Sequence, residues 1–345
     1  MRPVYIIPPR IKDNPYLTLL YDAVSARGEY APQSFSWPRV IASVLHRQHP
    51  IIHIHWETNI YGSKYAIVSL VRMLRFVGLW KARLYGARIV WTMHNMEAHD
   101  YPHPAIDRLG RWMMWKLAHA VIIQNRTAIS ECRSQHPGKT VVYIPHGNYI
   151  GVYGPRADDA RDAQRAKRGL LESDIVLIGI GMIRPYKKYE EVIDAVLAAE
   201  KKGLGVKLVI AGKGDAAYIA SLRARVGESK AVLLEEGRIA DAEVPMVLSL
   251  ADYAVFAYGE SSLTSGALLW ALSYGVPSIV GDMPAAELVH DDINGYRVPD
   301  QGLVSLIASL PSKSPMERDR VVATVQGYGW DEVARETAAL YRSLI

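Results

Sequence analysis

Three glycine-bearing turns in the second half of the chain carry the residue types of a phosphate site. Gly181-Met-Ile-Arg184-Pro-Tyr-Lys187-Lys188 is a glycine turn followed by cations at a helix start. Free N–H groups and the helix dipole both favour an anion there, and a fixed cation adds to them. Gly212-Lys-Gly214-Asp215 lets a ligand approach the backbone, and Tyr258-Gly-Glu260-Ser-Ser-Leu-Thr264-Ser265-Gly266 brings hydroxyls and N–H donors to another helix start. One such turn alone is ordinary turn geometry; three on one sheet edge describe a diphosphate site. The first half offers proton acceptors instead, in His53-Ile-His55-Trp-Glu57 and Thr92-Met-His94-Asn95-Met-Glu97-Ala-His99-Asp100. A partly buried carboxylate holds its proton more tightly, and an imidazole titrates near neutrality without help. Glu97, His94 and Glu57, in that order, are the candidates for a general base. The same histidines could suggest zinc, but there is no helical His-x-x-x-His and no cysteine cluster, so the expected metal is none.

These groups need elements to position them. Short β-branched runs alternate with helical patterns, the signature of parallel strands joined by crossover helices. Strands are expected at 4–7, 51–55, 88–92, 121–124 and 141–144, and again at 175–179, 207–211, 232–234, 253–257 and 278–280. Two doubly wound α/β units follow: residues 1–150, then 151–328, with a closing helix in 329–345 and a linker over 147–162. In open parallel sheets ligands bind beyond the carboxyl ends of the strands, which is where the polar clusters fall. The opening loop, 8–16, reads as a helix start with Asn14 capping before Pro15.

The chain has 345 residues and a net charge of +5, but its halves differ. Residues 1–150 hold 18 Lys/Arg against 8 Asp/Glu, and residues 151–345 hold 22 against 27. The first half should therefore meet something anionic. Between Glu57 and Glu97 there is no acidic residue, while Lys64, Arg72, Arg75, Lys81, Arg83 and Arg88 interleave with leucines, valines, Phe76 and Trp80. Cations beside an aliphatic face suit a helix lying on an anionic bilayer. No nucleic-acid recognition motif occurs, and the aromatics form no stacking platform, so no nucleic-acid partner is expected. A single cysteine, Cys132, excludes an internal disulfide. No signal peptide is seen at the N-terminus and no run of 18 uncharged apolar residues exists.

The order Gly181-x-Ile183-x-x-x-Lys187, Val209-Ile-Ala-Gly212-x-Gly214, Gly237-Arg238-Ile239, Ala251-Asp252, Ser265-Gly266 to Gly275-x-Pro277 and Asn294-Gly295 resembles the group-1 glycosyltransferases. The resemblance covers roughly 175–300 well and the first half more loosely. It implies the GT-B fold, α/β with two Rossmann-like doubly wound domains facing a central cleft: a donor domain for a nucleoside diphosphate sugar, and an acceptor domain. Carried over, Arg184 and Lys187 would meet the diphosphate, Gly212 and Gly214 the phosphate approach, and Arg238 and Ile239 the base. Thr264, Ser265 and Gly266 would lie under the phosphates, and Tyr258 and Glu260 would also belong to the donor site. Asn14, Tyr16 and His99 would border the acceptor, and His146 sits in the turn that joins the domains in relatives.

Two departures narrow the reading. Met182 stands where many members carry arginine, so Arg184 is expected to supply that cation. Retaining members usually carry two glutamates eight positions apart; Glu260 matches the first, but the second falls on Leu268. That pattern is similar to the inverting xanthan-type β-mannosyltransferases. The resemblance thus implies inverting transfer of mannose from GDP-mannose to a polyprenyl-diphosphate-linked glycan in exopolysaccharide synthesis. No cofactor beyond the sugar nucleotide is implied, and the protein is expected on the inner face of the plasma membrane, peripheral and cytoplasmic. The alternatives are a retaining UDP-sugar enzyme and a non-catalytic nucleotide-sugar or glycan binder. A dehydrogenase is disfavoured, because no Gly-x-Gly-x-x-Gly follows the first strand.

Overall fold

A computed structural model describes residues 1–9, 14–96, 101–257, 263–299, 301–311, 314 and 316–345. The chain divides into two compact units. The first takes Met1–Gly147 and Tyr328–Ile345, with the short stretch ending at Thr264; the second takes Asn148–Glu260 and Ser265–Gly327.

The first unit is built on β1 (Arg2–Ile7), β2 (Tyr30–Ser34), β3 (Ile51–His55), β4 (Arg88–Met93), β5 (Ala120–Ile123) and β6 (Thr140–Tyr143). All pairings are parallel, in the order β2-β1-β3-β4-β5-β6. β3, Ile-Ile-His-Ile-His, is buried along its whole length, as a strand covered on both faces must be. The C-terminal helix Trp330–Ser343 crosses back to this unit. Its Val333, Ala334, Ala338 and Tyr341 join Val4, Ile6, Leu17, Leu20 and Tyr21 in one buried cluster.

The second unit holds β7 (Ile175–Ile180), β8 (Val206–Gly212), β9 (Val232–Glu236), β10 (Tyr253–Phe256), β11 (Ser278–Val280) and β12 (Gly295–Arg297). Their order, β12-β11-β10-β7-β8-β9, is the Rossmann order, and it reverses between β7 and β10. Asp252, at the foot of β10, ties the unit together. Its carboxylate accepts from Arg161 at 2.5 Å, from Arg165 at 2.7 Å and from the β7 amide of Val176 at 2.7 Å. The expected linker over 147–162 contains helical structure at its end, with a 3-10 turn at Asp158–Ala160 running into a helix at Arg161–Ala166.

Ten of the twelve strands fall where the sequence places them. The other two, β2 and β12, are edge strands.

Candidate functional site

In the second unit the reversal of strand order opens a crevice at the carboxyl ends of β7 and β10, and the expected phosphate turns lie there. β7 ends at Ile180, Gly181 follows it, and the chain continues to Lys187, which is 4% exposed. Its ammonium donates to the carbonyl of Ile180 at 3.2 Å. Burial pulls the Lys187 pKa down from 10.5 to about 7. Arg184, the expected companion cation, is half-buried on the same turn. After β10, Ser265 caps the helix Gly266–Ser273, its hydroxyl accepting from the amide of Leu268 at 3.2 Å. The capping satisfies the third turn amide and leaves those of Gly266 and Ala267 as the helix's leading donors. An added side-chain carbon at Gly181 would lie 3.4 Å from Lys187 Nζ and 3.7 Å from Ala267 Cβ, so the two turns adjoin. Leu268 is fully buried and belongs to the core.

The remaining turns are laced to this one. Gly181 N donates to Ala211 O, Ile183 N to Lys213 O, and Gly237 N to Gly212 O, at 3.1, 2.8 and 3.0 Å. Gly212 is required by contact: a Cβ there would stand 1.8 Å from the carbonyl oxygen of Gly181. Beside Gly237–Ile239 lies a cavity of about 260 Å³ with Ala211, Met246 and Val247 in its wall. Its rim carries Arg168 in a two-pronged pair with Glu235 at 2.6 and 2.9 Å. Arg238 is exposed, near Asp241 at 3.4 Å. Tyr258 and Glu260 lie outside the described residues.

In the first unit the proton acceptors fall into two networks. Glu57 is buried and pairs with Arg111 at 2.8 Å, and it accepts from the Trp91 indole at 3.3 Å. Arg111 also binds Asp107 at 3.0 Å and donates to the carbonyl of Asn95 at 2.9 Å. Asp107 accepts from the Tyr61 hydroxyl at 2.6 Å. Desolvation raises the Glu57 pKa, and Arg111 opposes that rise. Glu57 is thus committed to an ion pair that fixes the loop after β4. The partner signal was the cation on the helix Pro104–Leu117, 54 positions downstream, where local sequence gives no hint of contact.

The histidines make the second network. His53 shares hydrogen bonds with the Tyr341 hydroxyl at 2.6 Å and the Thr92 hydroxyl at 2.8 Å. His55 Nε2 meets the Tyr21 hydroxyl at 2.8 Å, and its Nδ1 lies 3.3 Å from His94 Nε2. His94 stacks on Trp56, ring centres 4.3 Å apart. The expectation that His94 titrates near neutrality is overturned: burial, reinforced by neighbouring His146 and His53, holds its pKa well below 6.5. His53 is pushed down to about 3 and His146 to about 4 by the same cause. Tyr16, expected to border an acceptor, is buried among the rings of His55, His94, His146 and Trp330. Its hydroxyl accepts from Gln124 at 3.1 Å. Asn14 accepts from the amide of Tyr16 at 3.1 Å, so it does serve the helix start. Glu97 and His99 lie outside the described residues. Among the described residues, no three His, Cys, Asp or Glu are placed to hold a metal ion.

Two Rossmann-like units with a phosphate-type crevice in the second define the GT-B class. Residues 174–310, within the second unit, match the family described as glycosyl transferases group 1. A GDP-mannose:glycolipid 4-beta-D-mannosyltransferase of Xanthomonas campestris is 24% identical over 202 residues, 58% of this chain and 51% of that one. A D-inositol 3-phosphate glycosyltransferase of Streptomyces coelicolor is 25% identical over 308 residues, 78% of this chain and 66% of that one. The chain therefore spans about half to two thirds of the length of these relatives. The whole fold matches that of Anabaena HepE, solved in complex with UDP and glucose, with a TM-score of 0.74 at 17% identity, covering 99% of this chain and 100% of the other. Sucrose-phosphate synthase of Thermosynechococcus elongatus gives 0.73 at 16%, covering 100% and 99%.

Proposed function

We propose that the chain transfers a sugar from a nucleoside diphosphate sugar to a lipid-diphosphate-linked glycan, with mannose from GDP-mannose as the favoured donor and inversion as the outcome. One observation carries the donor half: Lys187 and the Gly266 helix start converge beside Gly181, where the strand order of a Rossmann sheet reverses. Lys187, Arg184 and the amides of Gly266 and Ala267 stabilise the departing diphosphate, and Gly212 and Gly214 let it approach the backbone. Because cations and amides carry the leaving charge, the scheme uses no metal. The cavity at Gly237–Ile239 receives the base, and Tyr258, Glu260, Thr264 and Ser265 complete the donor site.

The first unit supplies the acceptor site, with Asn14, Tyr16 and His99 at its border, and the base that deprotonates the attacking hydroxyl. Glu97 is the proposed base. Glu57 is already paired with Arg111, and His94, held neutral in its ring network, is too weakly basic to lead. Arg111, which pairs with Glu57, also donates to the carbonyl of Asn95, two positions before Glu97 in sequence. Support for mannose and a glycolipid acceptor is the activity named for the Xanthomonas relative. The membrane part of the proposal, contact with the anionic inner face of the plasma membrane, rests on the basic segment 64–88. No helix among the described residues is long and apolar enough to cross a membrane.

Thermal unfolding with GDP, UDP or ADP tests the donor. A ligand at 100 times its Kd adds about 2.7 kcal/mol. GDP alone should shift the transition; a shift with UDP alone discards GDP-mannose and favours a UDP-sugar, and no shift with any nucleotide removes the donor site. With the donor known, Arg184→Ala and Lys187→Ala should each lower turnover more than tenfold, and the anomeric form of the product decides inversion.

A further inference from the structure

Two amphipathic helices of the first unit face each other across an unfilled trough. The helix Trp37–Leu45 carries Trp37, Val40, Ile41, Val44 and Leu45 at i, i+3, i+4, i+7 and i+8, the stripe a helix normally buries. Here Ile41 is 55% exposed and Leu45 76%. The reason lies on the facing helix, Arg75–Leu84, whose inner positions are small: Gly78 and Ala82, flanked by Lys81 and Tyr85. Gly78 seats the Trp37 ring so closely that an added Cβ would lie 2.5 Å from it, so Trp37 floors the trough. The space left is about 330 Å³, apolar except for Lys81.

The charge around it has one sign. From residue 30 to residue 96 the chain has eight Lys/Arg (Arg39, Arg47, Lys64, Arg72, Arg75, Lys81, Arg83, Arg88) and one acidic residue, Glu57. Glu57 is neutralised by Arg111. None of the eight pairs with a carboxylate among the described residues. The trough is also continuous in sequence with a further exposed apolar stretch: Ile67, Leu70, Val71, Leu74 and Val77 are each more than half exposed.

We propose that this trough holds one hydrocarbon chain of an anionic bilayer lipid, with Lys81 at the rim meeting the headgroup charge. An open apolar slot needs a narrow apolar occupant, and eight cations with no carboxylate partner among the described residues favour a negatively charged source. The slot accounts for a stripe that is helical in pattern yet uncovered, which general adsorption of a basic face does not. The proposal goes beyond the basic segment already assigned to the membrane and is independent of the transferase reading, since its test uses neither donor nor acceptor.

The test is flotation of the full chain with vesicles of phosphatidylcholine, with and without one third phosphatidylglycerol. Trp37 emission is then recorded with the same lipids brominated mid-chain. Wild type should float only with the anionic vesicles, and bromolipid should quench an emission component that Trp37→Phe removes. Ala82→Phe, which fills the slot and leaves every charge in place, should lose that quenching; Ile41→Glu with Leu45→Glu, at exposed positions, should lower vesicle binding at least tenfold. Unchanged circular dichroism and an unchanged thermal midpoint without ligand confirm that each variant is folded; a slot variant that fails this check is replaced by Ala82→Leu. Equal quenching in wild type and Ala82→Phe or its replacement overturns the slot in favour of surface adsorption. No anionic flotation overturns lipid altogether, and a dimer in solution that Ile41→Glu with Leu45→Glu dissolves overturns it in favour of a second copy of the chain.

Discussion

Lys187 sits where burial makes an ammonium group costly. Burial brings its folded pKa to about 7, while the unfolded side chain keeps its proton up to 10.5. Between those values the unfolded chain binds more protons, so the buried lysine works against folding, and its contribution improves as pH rises through that window. A bound diphosphate restores the charge. GDP binding should therefore take up a proton, and its affinity, measured by calorimetry, should fall by up to about tenfold per pH unit above 7. Lys187→Met should raise the unfolding free energy of the ligand-free protein by about 1–3 kcal/mol while abolishing the nucleotide shift. A less stable variant that GDP still stabilises would remove Lys187 from the site. The types and spacing of residues 181–187 disclosed this position because the glycine, the cations and the strand before them are local. The first-unit carboxylate was not legible in the same way. Glu57 looks free in sequence, and only folding brings Arg111 to 2.8 Å from it.

At the scale of elements, what matters is how loops after separate strands are held to one another. Gly181, Ala211–Gly214 and Gly237 form a row of backbone hydrogen bonds along the carboxyl edge. Gly212→Ala would drive a methyl group into the Gly181 carbonyl, so the turn must move. The expected result is loss of GDP-induced stabilisation with a smaller fall in the midpoint of the free protein. Asp252 has the opposite character. Replacing it with Asn removes the charge opposite Arg165, a guanidinium whose side chain is 4% exposed, and breaking such a buried pair costs about 3–5 kcal/mol; urea unfolding of the variant measures it. Ala251-Asp252 and Asn294-Gly295 both belong to the recognisable motif series, and both serve architecture. Asn294 accepts from His290 N at 2.7 Å and donates to Leu288 O at 2.9 Å. Hydrophobic runs revealed the ten strands other than β2 and β12. β2, Tyr-Ala-Pro-Gln-Ser, hides because a proline is tolerated only where a strand has a free edge, and β12 is three residues long.

Over the whole molecule, chemistry and connectivity are divided unevenly. Ten of eleven histidines lie in residues 1–150, and the second unit has only His290. His53 at about 3, His146 at about 4, and His55 and His94 well below 6.5 stay neutral in the folded first unit. Once unfolded, each takes a proton near 6.5, so the unfolded chain binds more protons as pH drops below that value. The first unit should lose several kcal/mol between pH 6.5 and 4, and calorimetry should show its transition falling away from that of the second. Connectivity adds a second asymmetry. The first unit is not complete at Gly147, because the helix Trp330–Ser343 covers the face of β1 and β3 and supplies Tyr341 to His53. A fragment of residues 1–147 leaves Ile6, Leu17 and Tyr21 uncovered and His53 short of a partner. It should bind a hydrophobic dye and show no cooperative melt. A fragment of residues 148–327 contains all six strands of its sheet and the Asp252 anchor. It should unfold cooperatively and keep the nucleotide shift of the full chain. A well-folded 1–147 fragment would show that the C-terminal helix only adds stability, whereas recovery of a cooperative melt on adding a 328–345 peptide would show that it completes the first core.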